Sequence, residues 1–291
     1  MVEIVRVGST SGYRIVKLAG GAHSIHSLAH RETFHPVIGP VAEAGALYVR
    51  QLKVVERLQH HAGDFVVWDV GLGGAANVLT FLRATQSIRS SIKLLSFDHT
   101  LEPLEFALQH AGALGYLDRY EAHLGELLEK KRVVFQDGPQ TVTWEVHVAD
   151  FPGLLHQPAA TQFAKPHAIM FDAFSPATNP AMWTLPLFTK LFQLLDPART
   201  CALPTYSRST ILRVTLLLAG FFVGAGHATG EKEETTIAAN TLELIEEPLG
   251  RKWLGRVRRS TSAEPLREPV YRQAPLTPDT WDKLERHPQF R

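Results

Sequence analysis

Between residues 65 and 219 the chain repeats one pattern: a short apolar run, ended in the first four cases by a glycine or carboxylate, then a segment with helical spacing. Residues 65–70, 93–98, 143–148, 167–171 and 200–206 read as strands. Residues 76–85, 103–114, 123–132, 186–195 and 209–219 read as helices. Strands alternating with helices at intervals of about 25–45 residues predict a doubly wound, mostly parallel sheet. Residues 221–226 and 234–239 read as a closing antiparallel pair. Upstream, residues 3–7 and 13–18 read as short strands around a Gly20-Gly21 turn. A helix is expected from Glu43 to about His60, on the spacing of Ala46, Leu47, Val49, Leu52, Val55 and Leu58.

In such a sheet ligands bind at the C-terminal ends of the strands. The first strand runs into Gly71-Leu-Gly-Gly-Ala75. A glycine turn opening a helix brings backbone and free N–H groups close to a ligand. Asp98 ends the second strand, Asp150 closes the third and Asp172 ends the fourth. A carboxylate after the second strand suits the two hydroxyls of a ribose, and one after the third suits an adenine amino group. Asp172 begins the stretch Asp-Ala-Phe-Ser-Pro-Ala-Thr-Asn-Pro-Ala-Met-Trp183, in which Pro176 and Pro180 stiffen the backbone. A carboxylate on a stiff, aromatic-bearing loop can hold a flat ligand beside a polar reacting group.

The bulk numbers bound the reading. Apolar residues make up 45% and charged residues 20% of the 291, which fits a globular protein with a sizeable core. No apolar run reaches bilayer length, and MVEIVRVGST has no signal core, so a cytoplasmic location is expected. Cys201 lies in an apolar run and is expected to be a buried thiol. His23, His26, His30 and His35 have no cysteine or acidic companion before Glu43, so no metal site is expected. Net charge is only +1, so nucleic-acid contact would require local clustering of basic residues. Arg251, Lys252, Arg256, Arg258 and Arg259 form one cluster, with Arg208 and Arg213 as alternatives.

Asp69-x-Gly-x-Gly73 resembles the first motif of Rossmann-like S-adenosylmethionine-dependent methyltransferases. Residues 172–183, Tyr-Ser-Arg-Ser-Thr-x-x-Arg (206–213), Ala-Gly-Phe (219–221) and Gly-x-Lys-x-Glu (230–234) together resemble a narrower family. It comprises the methyltransferases, MnmC methyltransferase domain or stand-alone MnmD, that finish 5-methylaminomethyl(-2-thio)uridine at the tRNA wobble position. The resemblance covers roughly residues 10–260. It implies S-adenosylmethionine as cofactor, tRNA as partner and the amine of 5-aminomethyluridine as acceptor. Glu43, Gly71, Gly73, Asn77, Asp98, Asp150 and Asp172 would lie at the cofactor. Asp172 would face the amine, as a base or as an aligning group. Phe174 and Pro176 would shape the nucleoside pocket, with Trp183, Tyr206 and Arg208 on the substrate side. Trp183 and Tyr206 could stack on a flipped base, although Trp183 also reads as core. His26 would lie at the pocket rim.

The family usually has Gly where Ala75 stands and often Glu where Asp98 stands. The implied organisation is a β-rich substrate-side extension (1–60), a methyltransferase domain (61–240) and a basic, Pro-rich tail (241–291). The oxidase half of two-domain relatives has no room here, so a separate enzyme would supply the aminomethyl group. Two rivals remain: a methyltransferase of this fold acting on another amine, and a non-catalytic binding module.

Overall fold

The computed structural model describes residues 12–230 and 233–291. The strand expected at 3–7 and Lys232 of the 230–234 motif lie outside them. The chain forms two compact units. The first comprises Met1–Asp150, Met170–Asp172 and Ala228–Glu233; the second comprises Phe151–Ile169, Ala173–His227 and Glu234–Arg291.

The first unit opens with a three-stranded antiparallel sheet: β1 (Tyr13–Lys17), β2 (His23–Ser27) and β3 (Glu32–Thr33). The larger sheet follows, with β4 (Asp64–Val70), β5 (Ser91–Asp98), β6 (Arg132–Asp137) and β7 (Gln140–Val148). Here the strand order is β8-β4-β5-β7-β6, where β8 is Ala168–Phe171 and contributes its last two residues to this unit. β4, β5 and β7 run parallel and β6 runs antiparallel to β7. All of β4 beyond Asp64 is buried, as its unbroken Phe-Val-Val-Trp run requires of a strand covered on both faces. From β4 the chain adds β5 and β7 on one side, whereas β8 lies on the other. That reversal is the place where an open α/β sheet leaves a crevice at its strand ends.

In the second unit the order is β12-β10-β11-β9-β8, with β9 (Ala202–Thr205), β10 (Phe222–Gly226), β11 (Thr235–Ala239) and β12 (Glu247–Pro248). β8 and β9 are parallel and the remaining pairs antiparallel. The Thr210–Ala219 helix starts where the Ser209 hydroxyl accepts from Leu212 N, and it stops at Gly220, whose φ of 112° only glycine adopts readily. Cys201 is a buried thiol outside any disulfide. Across the chain the architecture is the α/β, Rossmann-like one that the alternation predicts, with a β-rich N-terminal extension.

Three local expectations need correction. The single helix from Glu43 to His60 is a Pro40–Ala44 helix running into a π-helical turn, Gly45–Arg50, and a separate Val54–Gln59 helix. Lys53, at φ 49°, makes the break. The helix expected to reach Arg132 ends at Lys130, and Arg132 begins β6, hairpinned onto β7 through Gly138 at φ 63°. The 103–114 helix breaks at His110 into Glu102–Gln109 and Ala111–Leu114. The tail beyond Asn240 is largely ordered. Arg251–Val257 buries Trp253, Leu254 and Val257, and the Thr277 hydroxyl caps Pro278–Glu285.

Candidate active site

The carboxyl ends of the first unit's strands gather the acidic groups. After β4, Gly71 (φ 94°), Gly73 (φ 51°) and Ala75 (φ 64°) take left-handed conformations that fold the turn back into the Ala76–Thr85 helix. For Ala75, a buried residue with a Cβ, that conformation costs about 1–2 kcal/mol. Gly71 N donates to Phe97 O at 2.9 Å, and Gly73 N donates to Asp98 Oδ2 at 3.0 Å. Asp98 Oδ1 accepts from His99 N at 2.8 Å and lies 3.1 Å from His99 Nδ1. That contact, more than the opposing burial, raises the His99 pKa, with Asp150 among the charges that add to it. His99 thus touches Asp98 and feels the Asp150 charge. Asp150 itself is exposed.

Asp172 sits one residue past β8, and its backbone N donates to Val70 O at 2.9 Å. Asn77, on the first turn of the Ala76–Thr85 helix, donates through Nδ2 to Asp172 Oδ2 at 2.8 Å. His35 Nε2 lies 2.9 Å from the same oxygen and 3.2 Å from Asn77 Oδ1. Both neighbours are acceptors, so Nε2 carries a proton. Burial works against charge on the ring. The Asp172 carboxylate, through its charge and its hydrogen bond, outweighs that, with Glu43 and Asn77 adding to it, and pushes the His35 pKa up to about 9. Glu43 is itself buried. Pattern reading placed His35 in a histidine cluster; the fold separates it. His26 Nδ1 bonds Thr33 Oγ1 at 2.8 Å, and the His30 ring meets the His99 ring edge-on. Among the described residues no group of His, Cys, Asp and Glu side chains gathers as a metal-ligand set.

Beneath the glycine turn, Asp69 is fully buried. Its Oδ2 accepts from Ser96 Oγ at 2.7 Å, Ser96 Oγ accepts from Trp144 Nε1 at 2.9 Å, and Oδ1 has no hydrogen-bond partner. Burial, which outweighs the Ser96 hydrogen bond, pushes its pKa up to about 7, and the Asp98 and Asp172 charges push the same way.

The remaining predicted residues belong to the second unit. Trp183 Nε1 donates to Phe174 O at 2.7 Å, Tyr206 Oη donates to Ala173 O at 3.0 Å, and the two rings meet edge-on with centroids 6.0 Å apart. These contacts pin the 173–183 loop. Trp183 is 1% exposed and braces the loop rather than presenting a stacking face. Phe174, Pro176 and Tyr206 are half-buried and Arg208 is exposed. Arg213 departs from the sequence reading. It is buried and donates to Glu234 Oε1, Thr235 O and Thr236 Oγ1, so its guanidinium is committed inside the fold.

A sulfonium nucleoside fits the donor set of the first unit. It brings a positive charge and a vicinal diol. Asp98, Asp172 and Glu43 supply negative charge and acceptor oxygens, and hydrogen bonds anchor Asp98 and Asp172 in place.

Comparison with known proteins agrees. Residues 117–241 match a family model described as S-adenosyl-L-methionine-dependent methyltransferase. The chain is 27% identical over 212 residues to the tRNA 5-methylaminomethyl-2-thiouridine biosynthesis bifunctional protein MnmC of Aeromonas hydrophila, covering 67% of this chain and 30% of that protein. It is 28% identical over 229 residues to the protein of the same name from Methylibium petroleiphilum, covering 76% of this chain and 34% of the relative. The chain thus spans about a third of the length of these curated relatives. Among solved structures it is similar to MnmC2 from Aquifex aeolicus, with a TM-score of 0.69 and 22% identity over 95% of this chain and 85% of that one. A spermidine synthase bound to the transition-state analogue AdoDATO shares the fold more distantly, with a TM-score of 0.53 and 12% identity over 97% and 88% of the two chains.

Proposed function

We propose that this chain, an S-adenosylmethionine-dependent methyltransferase similar to the methyltransferase part of MnmC, N-methylates 5-aminomethyl(-2-thio)uridine at the tRNA wobble position. The product is 5-methylaminomethyl(-2-thio)uridine. The observation that carries the reading is the placement of Asp172. It stands at the reversal of the sheet order, tied to the glycine-turn helix through Asn77, and is followed in sequence by the pinned aromatic loop.

In this reading Gly71, Gly73, Asn77, Asp98, Asp150 and Glu43 hold the cofactor, which supplies an electrophilic methyl group. The protein's own work is alignment and proton handling. An alkylammonium with a pKa near ~10 has no lone pair to offer until it loses a proton. Asp172 receives the amine N–H and holds the nitrogen in line. Phe174, Pro176 and Tyr206 provide flat apolar contact for a base turned out of its stack, with Trp183 behind them. We assign the three-stranded N-terminal sheet to a substrate-side extension. No helix among the described residues is long and apolar enough to cross a membrane. Action in the cytoplasm, on tRNA that already carries the aminomethyl group, completes the proposal.

The deciding experiment incubates the protein with isotopically labelled S-adenosylmethionine and tRNA carrying 5-aminomethyluridine, followed by nucleoside mass spectrometry. Label is expected in 5-methylaminomethyluridine. Binding of the cofactor with no label in any tRNA would overturn the proposal.

For the RNA backbone we assign the exposed basic residues of the Arg251–Val257 helix and its end, Arg251, Lys252, Arg256, Arg258 and Arg259, together with Arg208. Arg208 and Arg256 both act on Arg213 through their charge, so loop and helix contribute to one positive region within the second unit. Arg258 also stacks on Trp281 at 5.1 Å. Replacing Arg208 and Arg256 with Ala is expected to weaken binding of every tRNA to a similar degree. The slope of log affinity against log salt should flatten by about 0.7–0.9 for each phosphate that is no longer neutralised. An unchanged slope would remove these residues from the interface.

A further inference from the structure

His35 takes part in an interaction that no pattern in the sequence announces, and the backbone is bent to make it. At φ 49° it adopts a left-handed conformation that costs a β-carbon residue about 1–2 kcal/mol. Such strain persists where surrounding contacts over-determine it. Here they do: the side chain is 8% exposed, Nε2 is 2.9 Å from Asp172 Oδ2, and Asn77 bridges the two.

The consequence concerns the charge at Asp172. A lone carboxylate beside an amine binds the ammonium form and raises its pKa. The ion pair is tight and unreactive, because every valence of nitrogen is occupied. A carboxylate already neutralised by a fixed cation still accepts an N–H but no longer rewards the extra proton. The groups facing His35 are Asp172 from the loop after β8, Glu43 from the Pro40–Ala44 helix and the uncharged Asn77 from the Ala76–Thr85 helix; the Asp98 and Asp172 charges in turn act on Asp69. All the ionisable members are acids, and together they favour the charged ring over the cost of burial and of an Nδ1 that has no hydrogen-bond partner.

We propose that His35 is a positioning residue: an imidazolium that neutralises Asp172, so that this carboxylate receives the acceptor amine uncharged, with its lone pair free for the methyl group. The inference rests on the reading of Asp172 as the acceptor-side group. No covalent step is added. The amine leaves its proton in solvent before transfer, and the new N–methyl bond forms as the sulfonium–methyl bond breaks.

The test compares the pH dependence of kcat, at saturating tRNA and cofactor, for wild type and His35→Gln. Gln keeps a hydrogen-bond donor toward Asp172 and removes the charge. The acid limb is expected to move up by about one pH unit or more, the usual effect of an opposite charge within a few ångströms, with kcat above that limb within a few-fold of wild type. A limb that stays in place, or a loss equal at every pH, would reduce His35 to a structural role and overturn the proposal. Wild-type transfer to tRNA in the same assay checks the substrate reading separately. The imidazole is also followed by NMR, which needs no acceptor. Its titration midpoint is expected well above the ordinary histidine value in wild type and markedly lower in Asp172→Asn; a wild-type midpoint near the ordinary value would equally overturn the proposal.

Discussion

Asp172→Asn is expected to lower methyl transfer about 10²-fold or more, the scale of losing the group that holds the reacting nitrogen in line, while S-adenosylmethionine still binds. Asn is the informative substitution because of what surrounds the side chain. Asp172 Oδ2 takes hydrogen bonds from Asn77 Nδ2 and lies against His35 Nε2. An amide oxygen can still accept from both, so the local geometry survives and only the charge is removed. Asp172→Ala does more. It leaves a largely buried histidine without its counter-charge, and breaking such a pair costs on the order of a few kcal/mol. A stability loss would then be mixed with a catalytic one. Single-turnover transfer from labelled cofactor, with calorimetric titration of cofactor binding, separates the two effects. An Asn variant that transfers at close to the wild-type rate would remove this carboxylate from the chemistry. One that no longer binds cofactor would place it on the donor side instead.

Much of the frame behind that prediction is legible in local sequence. The Ala76–Thr85 helix has the bounds its spacing gives, and β4 is the buried run that Phe-Val-Val-Trp describes. Each carboxylate past a strand also lies where a parallel sheet must put it. What local pattern cannot carry is conformation set by distant packing. The Gly45–Arg50 turn is π-helical and Lys53 is left-handed, yet the apolar spacing through 46–58 looks continuous. β6 alternates buried and exposed residues, but its first residue, Arg132, follows a Lys- and Glu-rich helix with no visible break. His35 is the sharpest case. Its partners Asn77 and Asp172 are far away in the chain, and its neighbouring histidines suggested a different grouping. The φ of 49° at a non-glycine residue is a signal, but one visible only in three dimensions.

Asp69 sets a pH dependence of stability that can be read without any substrate. Burial of this carboxyl pushes its pKa up to about 7, against an ordinary value of 3.8. The folded state therefore holds a proton that the unfolded chain has already released. The sign follows from linkage. Below the unfolded pKa both states are protonated and Asp69 costs nothing. As pH rises from about 4 to about 7 the unfolded state gains relative stability, and above that the full penalty applies, on the order of a few kcal/mol. Asp69→Asn abolishes the titration. Its amide oxygen can still accept from Ser96 Oγ, preserving the link to Trp144. Its NH2 would occupy the place of Oδ1, which has no hydrogen-bond partner, and a buried unsatisfied donor costs about 1–3 kcal/mol at every pH. The absolute stability of the variant therefore mixes two effects of opposite sign, whereas the slope does not. Denaturant melts of both proteins from pH 5 to pH 8 should show the variant gaining on wild type through the interval and levelling off near pH 7. Parallel curves would mean that Asp69 stays ionised in the folded chain. The charge at the base of the glycine turn would then have to be compensated by something other than the Ser96 hydroxyl.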